Sequence, residues 1–484
     1  MLRLIIRQTN WGIIGSIFAF AIGFFIKQYV QNIVQDDWGM WYSASVFVVI
    51  LDTFLSLGIS TVILKFFPTL LKENTEKASF ILNKILRYAL VISSIFIVLM
   101  YFFSDLLDIY IFPNIEDFSN LLFYSSFLVP ISIFTGIIIA LYRSVLKIKE
   151  IMIYKVFIPV PLRALLVLLV FQYTSDILYF ILIEIFTQFF MLLLMYYFFN
   201  KKEFNIFNRL NSFGNIVFDS TIYHYGQKMY FYSLINLFST QGLPVLVVYY
   251  LDKSYATVYA ILLLITGLSM FINRNLKQIF APIISKLYDA KDMIQLDGLY
   301  KNTAFILNFL TIPFSILIMF FADEILLLFT LSGNIEDHKF YLFMLLLSRM
   351  FALIAGNSGA FMTMAGIEKK EIVIQLTRGI ISFLVAIFLI KEYQLLSVVL
   401  LVLLSIIFVT VAQLISIKRA IDISPFSREL ILLLLFSTPL IYLSMSQNLE
   451  INIYHYIFVP IGLYFIYSVL FFRKLRKIYF EIKS

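Results

Sequence analysis

Apolar runs of about twenty residues, the length that crosses a hydrocarbon core as a helix, recur along the whole of this 484-residue chain. A bilayer offers no water to satisfy backbone N–H and C=O groups, so such runs fold as helices and not as open strands. They lie near 11–30, 40–64, 86–104, 120–141, 156–173, 177–199, 229–250, 255–272, 303–322, 340–362, 377–391, 395–417, 430–446 and 455–472. The expected fold is an all-α polytopic membrane protein with about fourteen transmembrane helices. Composition agrees: 61% of residues are hydrophobic, against roughly 45–50% in a soluble domain. There is no cysteine, which excludes disulfides and thiolate chemistry.

Loop charge gives an independent test of the span count. With both termini cytoplasmic, nearly all of the 37 Lys/Arg fall in inner segments, and the outer loops hold only Lys253, Lys339 and Lys391. Acids favour the other side, among them Asp36, Asp37, Asp105, Asp108, Glu116, Asp117, Asp323, Glu324, Glu336 and Asp337. This is the positive-inside pattern of a cytoplasmic-membrane protein, so the net charge of +8 reads as a topology signal and not as a nucleic-acid footprint. Arg3 and Arg7 before an apolar run suggest a signal peptide, but that run continues through Ile26, so a retained first helix is expected. The connectors near 200–228 and 273–302 suit short interfacial helices, and the C-terminal "RKLRKIYFEIK" a basic amphipathic membrane anchor.

Two halves of the chain resemble each other. "LKFFPTLLKE" (64–73) pairs with "KQIFAPIISKLYDAKD" (277–292), "YFFSDLL" (101–107) with "MFFADEILL" (319–327), and "KIKEI" (147–151) with "EKKEI" (368–372). The expectation is two six-helix bundles in a parallel pseudo-twofold repeat, an arrangement used by alternating-access transporters. The domain boundaries that follow are an N-terminal six-helix lobe over 1–200, a cytoplasmic linker over 201–228, and a second six-helix lobe over 229–417. Two additional helices and the basic tail occupy 418–484.

Apart from tyrosines, five ionisable residues lie well inside these spans: Lys27, Asp52, Arg163, Glu184 and Arg349. A charge facing lipid at mid-bilayer costs about 3 kcal/mol on lenient scales, so each should face the bundle interior. Helical spacing supports this. Ser45, Asp52, Ser56 and Ser60 form one stripe; Glu184, Thr187 and Gln188 share a face; Arg349, Gly356, Asn357 and Ala360 share another. Gly12, Ser16, Ala19, Gly23 and Lys27 line a small-residue face on the first span. Each charge also has a plain structural reading. Lys27 can snorkel to the interface, Asp52 can pair with Lys27 or a backbone group, and Arg163 and Arg349 can pair with acids. Their functional reading is contact with an anionic substrate, because guanidinium groups suit phosphate oxygens. Lys65, Arg143, Arg274 and Arg378 fall at cytoplasmic helix ends, where topology explains them, although Arg274 can also line an inward-facing mouth. Prolines in the fifth and seventh spans, Pro159, Pro161 and Pro244, are candidate hinge points.

Catalytic signatures are missing. His224, His338 and His455 are scattered without ligand spacing, and no nucleotide-binding or hydrolase motif stands in a suitable context. Neither enzymatic turnover nor a cofactor is expected, and ATP-driven transport by this chain alone is not.

The stretches "WGMWYSASVFVVILDTFLSLGISTVILKFFP" (38–68), "FAPIISKLYDAKDMIQLDGLY" (280–300) and "GNSGAFMTMAGIEKKEI" (356–372) resemble the multidrug/oligosaccharidyl-lipid/polysaccharide (MOP) flippase superfamily. Within it, the chain resembles the Wzx-type polysaccharide-unit flippases, with Lys65 where an arginine is common. The resemblance covers nearly the whole chain. It implies a flippase that moves undecaprenyl-diphosphate-linked oligosaccharide, such as an O-antigen unit, from the cytoplasmic to the outer leaflet by alternating access. Its partners would be the lipid-linked oligosaccharide, membrane lipids, H⁺ or Na⁺, and other polysaccharide-assembly membrane proteins. Arg163, Arg349, Lys27 and Arg274 are the candidates to hold the diphosphate, Asp52 and Glu184 to couple an ion, and Ser56, Gln188 and Asn357 to line the cavity. The rival readings are a lipid II flippase, a drug or cation exporter of the same superfamily, and a membrane-embedded glycan-processing enzyme. Drug exporters resemble one another in an acid on the first helix, which this chain does not have.

Overall fold

The structure is a computed structural model that describes residues 2–73, 75–115, 118–145, 147–202, 220–446, 462–472, 474 and 476. Every regular element among them is helical. Eleven helical stretches are long and apolar enough to cross a bilayer, and two shorter apolar helices cover Ile59–Leu71 and Gly462–Phe472. Two of the eleven are double-length, Ile14–Ser56 and Glu368–Ile421, and each turns at a glutamine forced to positive φ, Gln35 (φ 52°) and Gln394 (φ 45°). The first joins the expected span 11–30 to the start of 40–64, and the second holds 377–391 and 395–417. The segment 377–391, short in sequence, belongs to a helix that begins at Glu368.

Contacts divide the chain within one helix, between Val258 and Tyr259. Unit 1 is Met1–Val258 with Thr330–Ser332, and unit 2 is Tyr259–Phe329 with Gly333–Ser484. Unit 1 contains α1 (Leu2–Val34), α2 (Trp38–Ser56), α3 (Ile59–Glu73), α4 (Thr75–Ile111), α5 (Ser119–Ser126), α6 (Leu128–Ser144), α7 (Ile148–Met152), α8 (Pro159–Val170), α9 (Ile177–Lys202), α10 (Ser220–Tyr250) and the start of α11 (Lys253–Asp289). In α4 the outer face is apolar as well as the buried one. Ala89, Ser93 and Ser104 are buried while Leu90, Val91, Ile95, Val98 and Phe102 are exposed, as suits a helix whose outer face meets acyl chains. Pro159 opens α8, where its missing N–H costs no hydrogen bond, and a π-helical turn, Ile153–Phe157, precedes it.

The polar stripe expected on a continuous second span is interrupted. Leu57 (φ 44°) and Gly58 (φ 67°) are both left-handed, so α2 ends at Ser56 and α3 restarts at Ile59. Thr61 and Val62 donate their N–H groups to the Gly58 carbonyl, which closes the new turn. The faces nevertheless agree across the break. Asp52 hydrogen-bonds Ser132 on α6, and one turn along α6 a Cβ on Gly136 would meet Ser60 Oγ at 3.1 Å. A second feature of unit 1 is the short stretch Thr330–Ser332, whose Thr330 N–H donates to Gln31 Oε1 (3.2 Å) and Asn32 Oδ1 (3.0 Å). Gln31 Nε2 donates back to the Thr330 carbonyl.

Unit 2 contains the rest of α11, then α12 (Met293–Phe320), α13 (Ala322–Leu327), α14 (Ile335–Ile354), α15 (Ser358–Met364), α16 (Glu368–Ile421) and α17 (Arg428–Ser446). The connector 273–302, expected as interfacial helices, is largely the continuation of α11 and the start of α12. Asp292 caps α12 by accepting the Gln295 N–H. The tenth span is broken as well. α14 stops at Ile354 and α15 starts at Ser358, so Arg349, Gly356, Asn357 and Ala360 do not share one continuous helix face. Neighbours satisfy the carbonyls this break releases: Asn308 Nδ2 donates to Leu353 O (2.6 Å) and Tyr300 Oη to Ala355 O (2.8 Å). Gly356 (φ 63°) turns the chain there, packed on Ala304. Tyr300 also stacks on Phe361, with ring centroids 4.3 Å apart, in a buried cluster with Leu296, Met362 and Ile417.

Candidate functional site

In unit 1 the structure gathers three of the expected charges around one tryptophan. Arg163 Nη1 lies 2.9 Å from Glu184 Oε1, and its Nε donates to Thr187 Oγ1 at 3.2 Å. The other Glu184 oxygen accepts the Trp41 indole N–H at 2.9 Å. Lys27 Nζ sits 4.7 Å above the Trp41 ring, a cation–π contact, and is within electrostatic reach of Glu184 and Arg163. Lys27, Arg163 and Glu184 are each about seven residues from a helix end, at Val34, Val170 and Ile177, or roughly 10 Å along their axes. Two basic side chains thus share one carboxylate. The Glu184 side chain is 10% exposed and that of Arg163 25%, so Arg163 keeps an accessible edge while its carboxylate partner is enclosed.

The acid expected to couple an ion, Glu184, is therefore joined to the arginine expected to hold a diphosphate. Asp52 stands apart from them, half-buried against Ser132, and its hydrogen bond goes there and not to Lys27. Gln188 is half-buried one turn beyond Glu184 on α9, and Ser56 Oγ donates to the Thr53 carbonyl at the end of α2. Trp41 was not singled out by sequence reasoning. The available signal is its place at i+3 from Trp38, which it stacks at 4.4 Å.

In unit 2 the site is built from arginines. Arg349 on α14 and Arg378 on α16 lie within electrostatic reach of each other and of the buried Tyr259 on α11. Arg378 Nε donates to Ser405 Oγ at 3.3 Å across the two halves of α16. Arg378 reads from sequence as a helix-end topology residue. The helix extends back to Glu368, which places it about ten residues inside, roughly 15 Å along the axis. Asn357 sits in the α14–α15 break, its Nδ2 buried without a hydrogen-bond partner. Arg274 lies on α11, but its side chain is outside the described residues, as is His455. Among the described residues no group of three or more His, Cys, Asp or Glu side chains is placed to hold a metal ion.

Apolar helices of membrane-crossing length, with basic clusters among them, define a multi-pass helical membrane protein. The chain belongs to the family described as polysaccharide biosynthesis protein, whose profile matches residues 33–333. No curated protein matches it. Among solved structures it is similar to the lipid II flippase MurJ in an inward closed conformation, with a TM-score of 0.69 at 16% identity, covering 96% of this chain and 98% of that one. It is also similar to an inward-facing multidrug resistance MATE family transporter of the MOP superfamily, with a TM-score of 0.60 at 14% identity, covering 91% and 96%. A third is a MOP superfamily transporter from Pyrococcus furiosus, whose title reports a binding pocket of reversed polarity (0.57, 15%, 92% and 96%). The fold is that of the superfamily which the sequence resembles.

Proposed function

We propose that the protein is a flippase for polyprenyl-diphosphate-linked oligosaccharide, moving the headgroup from the cytoplasmic to the outer leaflet of the bacterial cytoplasmic membrane. The observation that carries this reading is the guanidinium pair, Arg349 with Arg378 beside Tyr259, held within membrane-crossing helices. A diphosphate entering hydrocarbon needs cations, and planar guanidinium groups bind its oxygens bidentately. The Lys27–Arg163–Glu184 cluster, two basic groups to one acid, adds to the same preference. Membership in a polysaccharide biosynthesis family supports a glycan cargo. The expected lobes, 1–200 and 229–417, and the cytoplasmic placement of both termini belong to this proposal, as does coupling to H⁺ or Na⁺ through Asp52.

The likeness to a lipid II flippase favours one alternative, because that headgroup carries the same diphosphate. Reconstituted liposomes with fluorescent polyprenyl-diphosphate oligosaccharide on one leaflet separate the readings. Wild-type protein should move the probe without altering its mass, and Arg349→Gln with Arg378→Gln should lower the rate at least tenfold while the protein remains folded. Movement of lipid II with none of the oligosaccharide probe would transfer the assignment to lipid II. Equal rates in the variant would remove the arginines from the mechanism.

A further inference from the structure

At the end of unit 1 that the charge pattern assigns to the cytoplasm, the fold brings together two basic side chains that the transport reading does not use. Arg143 stands in the last turn of α6, and Lys155 in the π-helical turn Ile153–Phe157 that precedes α8. The residue before each is a tyrosine, and these tyrosines lock the two segments together. Tyr142 and Tyr154 are buried, with ring centroids 6.4 Å apart. Tyr154 stacks on Phe198 at 4.5 Å, and Tyr142 meets Phe199 edge-on at 4.9 Å. The Tyr142 hydroxyl donates to the Met195 carbonyl at 3.0 Å. Both rings are thus anchored on α9, and the Lys147 N–H closes the connecting turn on the Tyr142 carbonyl at 2.9 Å. Above this buried pair, Arg143 and Lys155 remain exposed and within electrostatic reach of each other.

Like charges held close repel, and the usual remedy is a carboxylate between them. Among the described residues none is supplied: neither Arg143 nor Lys155 forms an ion pair. Glu150, the acid of α7, keeps one oxygen buried without a hydrogen-bond partner. Lys149 is occupied elsewhere, 5.3 Å from the Trp11 ring centroid. Arg143 follows the apolar run 120–141 and Lys155 directly precedes the run 156–173, so both stand at the level of the lipid headgroups. The positive-inside rule accounts for basic residues at that level, but not for two clamped together from different helices. π-helical turns are frequent at functional sites. A planar guanidinium beside a compact ammonium suits a phosphate group with several acceptor oxygens, and an anion bound there offsets the repulsion. Basic pockets between membrane helices on the cytoplasmic side take lipid headgroups in this way.

We propose that Arg143 and Lys155 form a receiving site for the diphosphate of a lipid-linked molecule, on residues other than Arg349 and Arg378. That this lipid is the transported cargo rests on the flippase reading; the binding itself does not. The probe is geranylgeranyl diphosphate, its binding to purified protein in neutral detergent followed by microscale thermophoresis at low salt, where charge contacts are least screened. Arg143→Gln and Lys155→Gln should each weaken binding about tenfold, and Lys369→Gln, an exposed control in unit 2, should leave it unchanged. The same losses should appear in a background carrying Arg349→Gln and Arg378→Gln, which takes that arginine pair out of the reading. Because both side chains are exposed and lack an ionic partner, each variant should keep the wild-type Tm or exceed it. Unchanged binding in both variants overturns the proposal, as does a lowered Tm with binding intact, which would mark a structural contact. Displacement of the probe by an equal concentration of inorganic pyrophosphate would assign the site to a soluble anion. Displacement by phosphatidylglycerol would assign it to bulk phospholipid, and either result overturns the assignment to a lipid-linked diphosphate. Binding that depends on Arg143 and Lys155 in a protein that moves no oligosaccharide probe in liposomes would sink the flippase reading and leave this site standing.

Discussion

Arg163 and Glu184 show how a residue legible in sequence changes meaning in the fold. Both stand out as charges inside apolar runs, because the cost of burying them is visible from composition alone. That they meet was not legible, since the contact joins α8 to α9 and depends on Trp41 from α2 to hold the second carboxylate oxygen. Removing the carboxylate leaves the half-buried Arg163 guanidinium without its ionic partner. Glu184→Gln is therefore expected to destabilise the protein by about 3 kcal/mol. A double-mutant cycle with Arg163→Met should return a coupling of roughly 1–3 kcal/mol, read from thermal unfolding in detergent. A coupling near zero would mean that the pair is not formed. Arg378 is the opposite case, a residue discounted for its place near a predicted helix end that the actual length of α16 carries inward.

At the scale of elements, the breaks carry the specificity. α14 stops where Asn308 and Tyr300 donate to the Leu353 and Ala355 carbonyls, which satisfies backbone groups that the break releases. Asn308→Ala should cost about 1 kcal/mol by removing one of the hydrogen bonds to the Leu353 carbonyl, which keeps the Gly356 N–H, measured as a lowered Tm. Gly356→Ala adds a left-handed penalty of about 1–2 kcal/mol and a contact with the Ala304 Cβ at 3.1 Å. Gly39→Ala is expected to be more severe, because its Cβ would strike the Lys253 carbonyl oxygen, a backbone atom unable to move aside. The glycines are visible in sequence. The partners that make them obligatory, more than fifty residues away for Gly356 and two hundred for Gly39, are not.

For the whole molecule, hydropathy and charge alternation predict an orientation that can be read in cells. The natural chain has no cysteine, so single substitutions report accessibility on a clean background. Tyr173→Cys and Asp337→Cys should react with a membrane-impermeant maleimide in intact cells, while Lys369→Cys and Arg419→Cys should react only after permeabilisation. All four positions are exposed. The reverse pattern would overturn the positive-inside assignment.

The sequence alone determined that this is a multi-pass helical membrane protein, where most of its spans fall, and that Lys27, Asp52, Arg163, Glu184 and Arg349 lie inside them. Those properties follow from local hydrophobicity and spacing, summed over stretches of about twenty residues. Tertiary structure decided where the second and tenth spans break, that Lys27 rests on Trp41 instead of meeting Asp52, that Arg378 joins Arg349, and that Tyr142 and Tyr154 bring Arg143 beside Lys155. Each of these depends on a partner brought from a distant helix, and the energy of a buried charge is set by that partner and not by its neighbours along the chain.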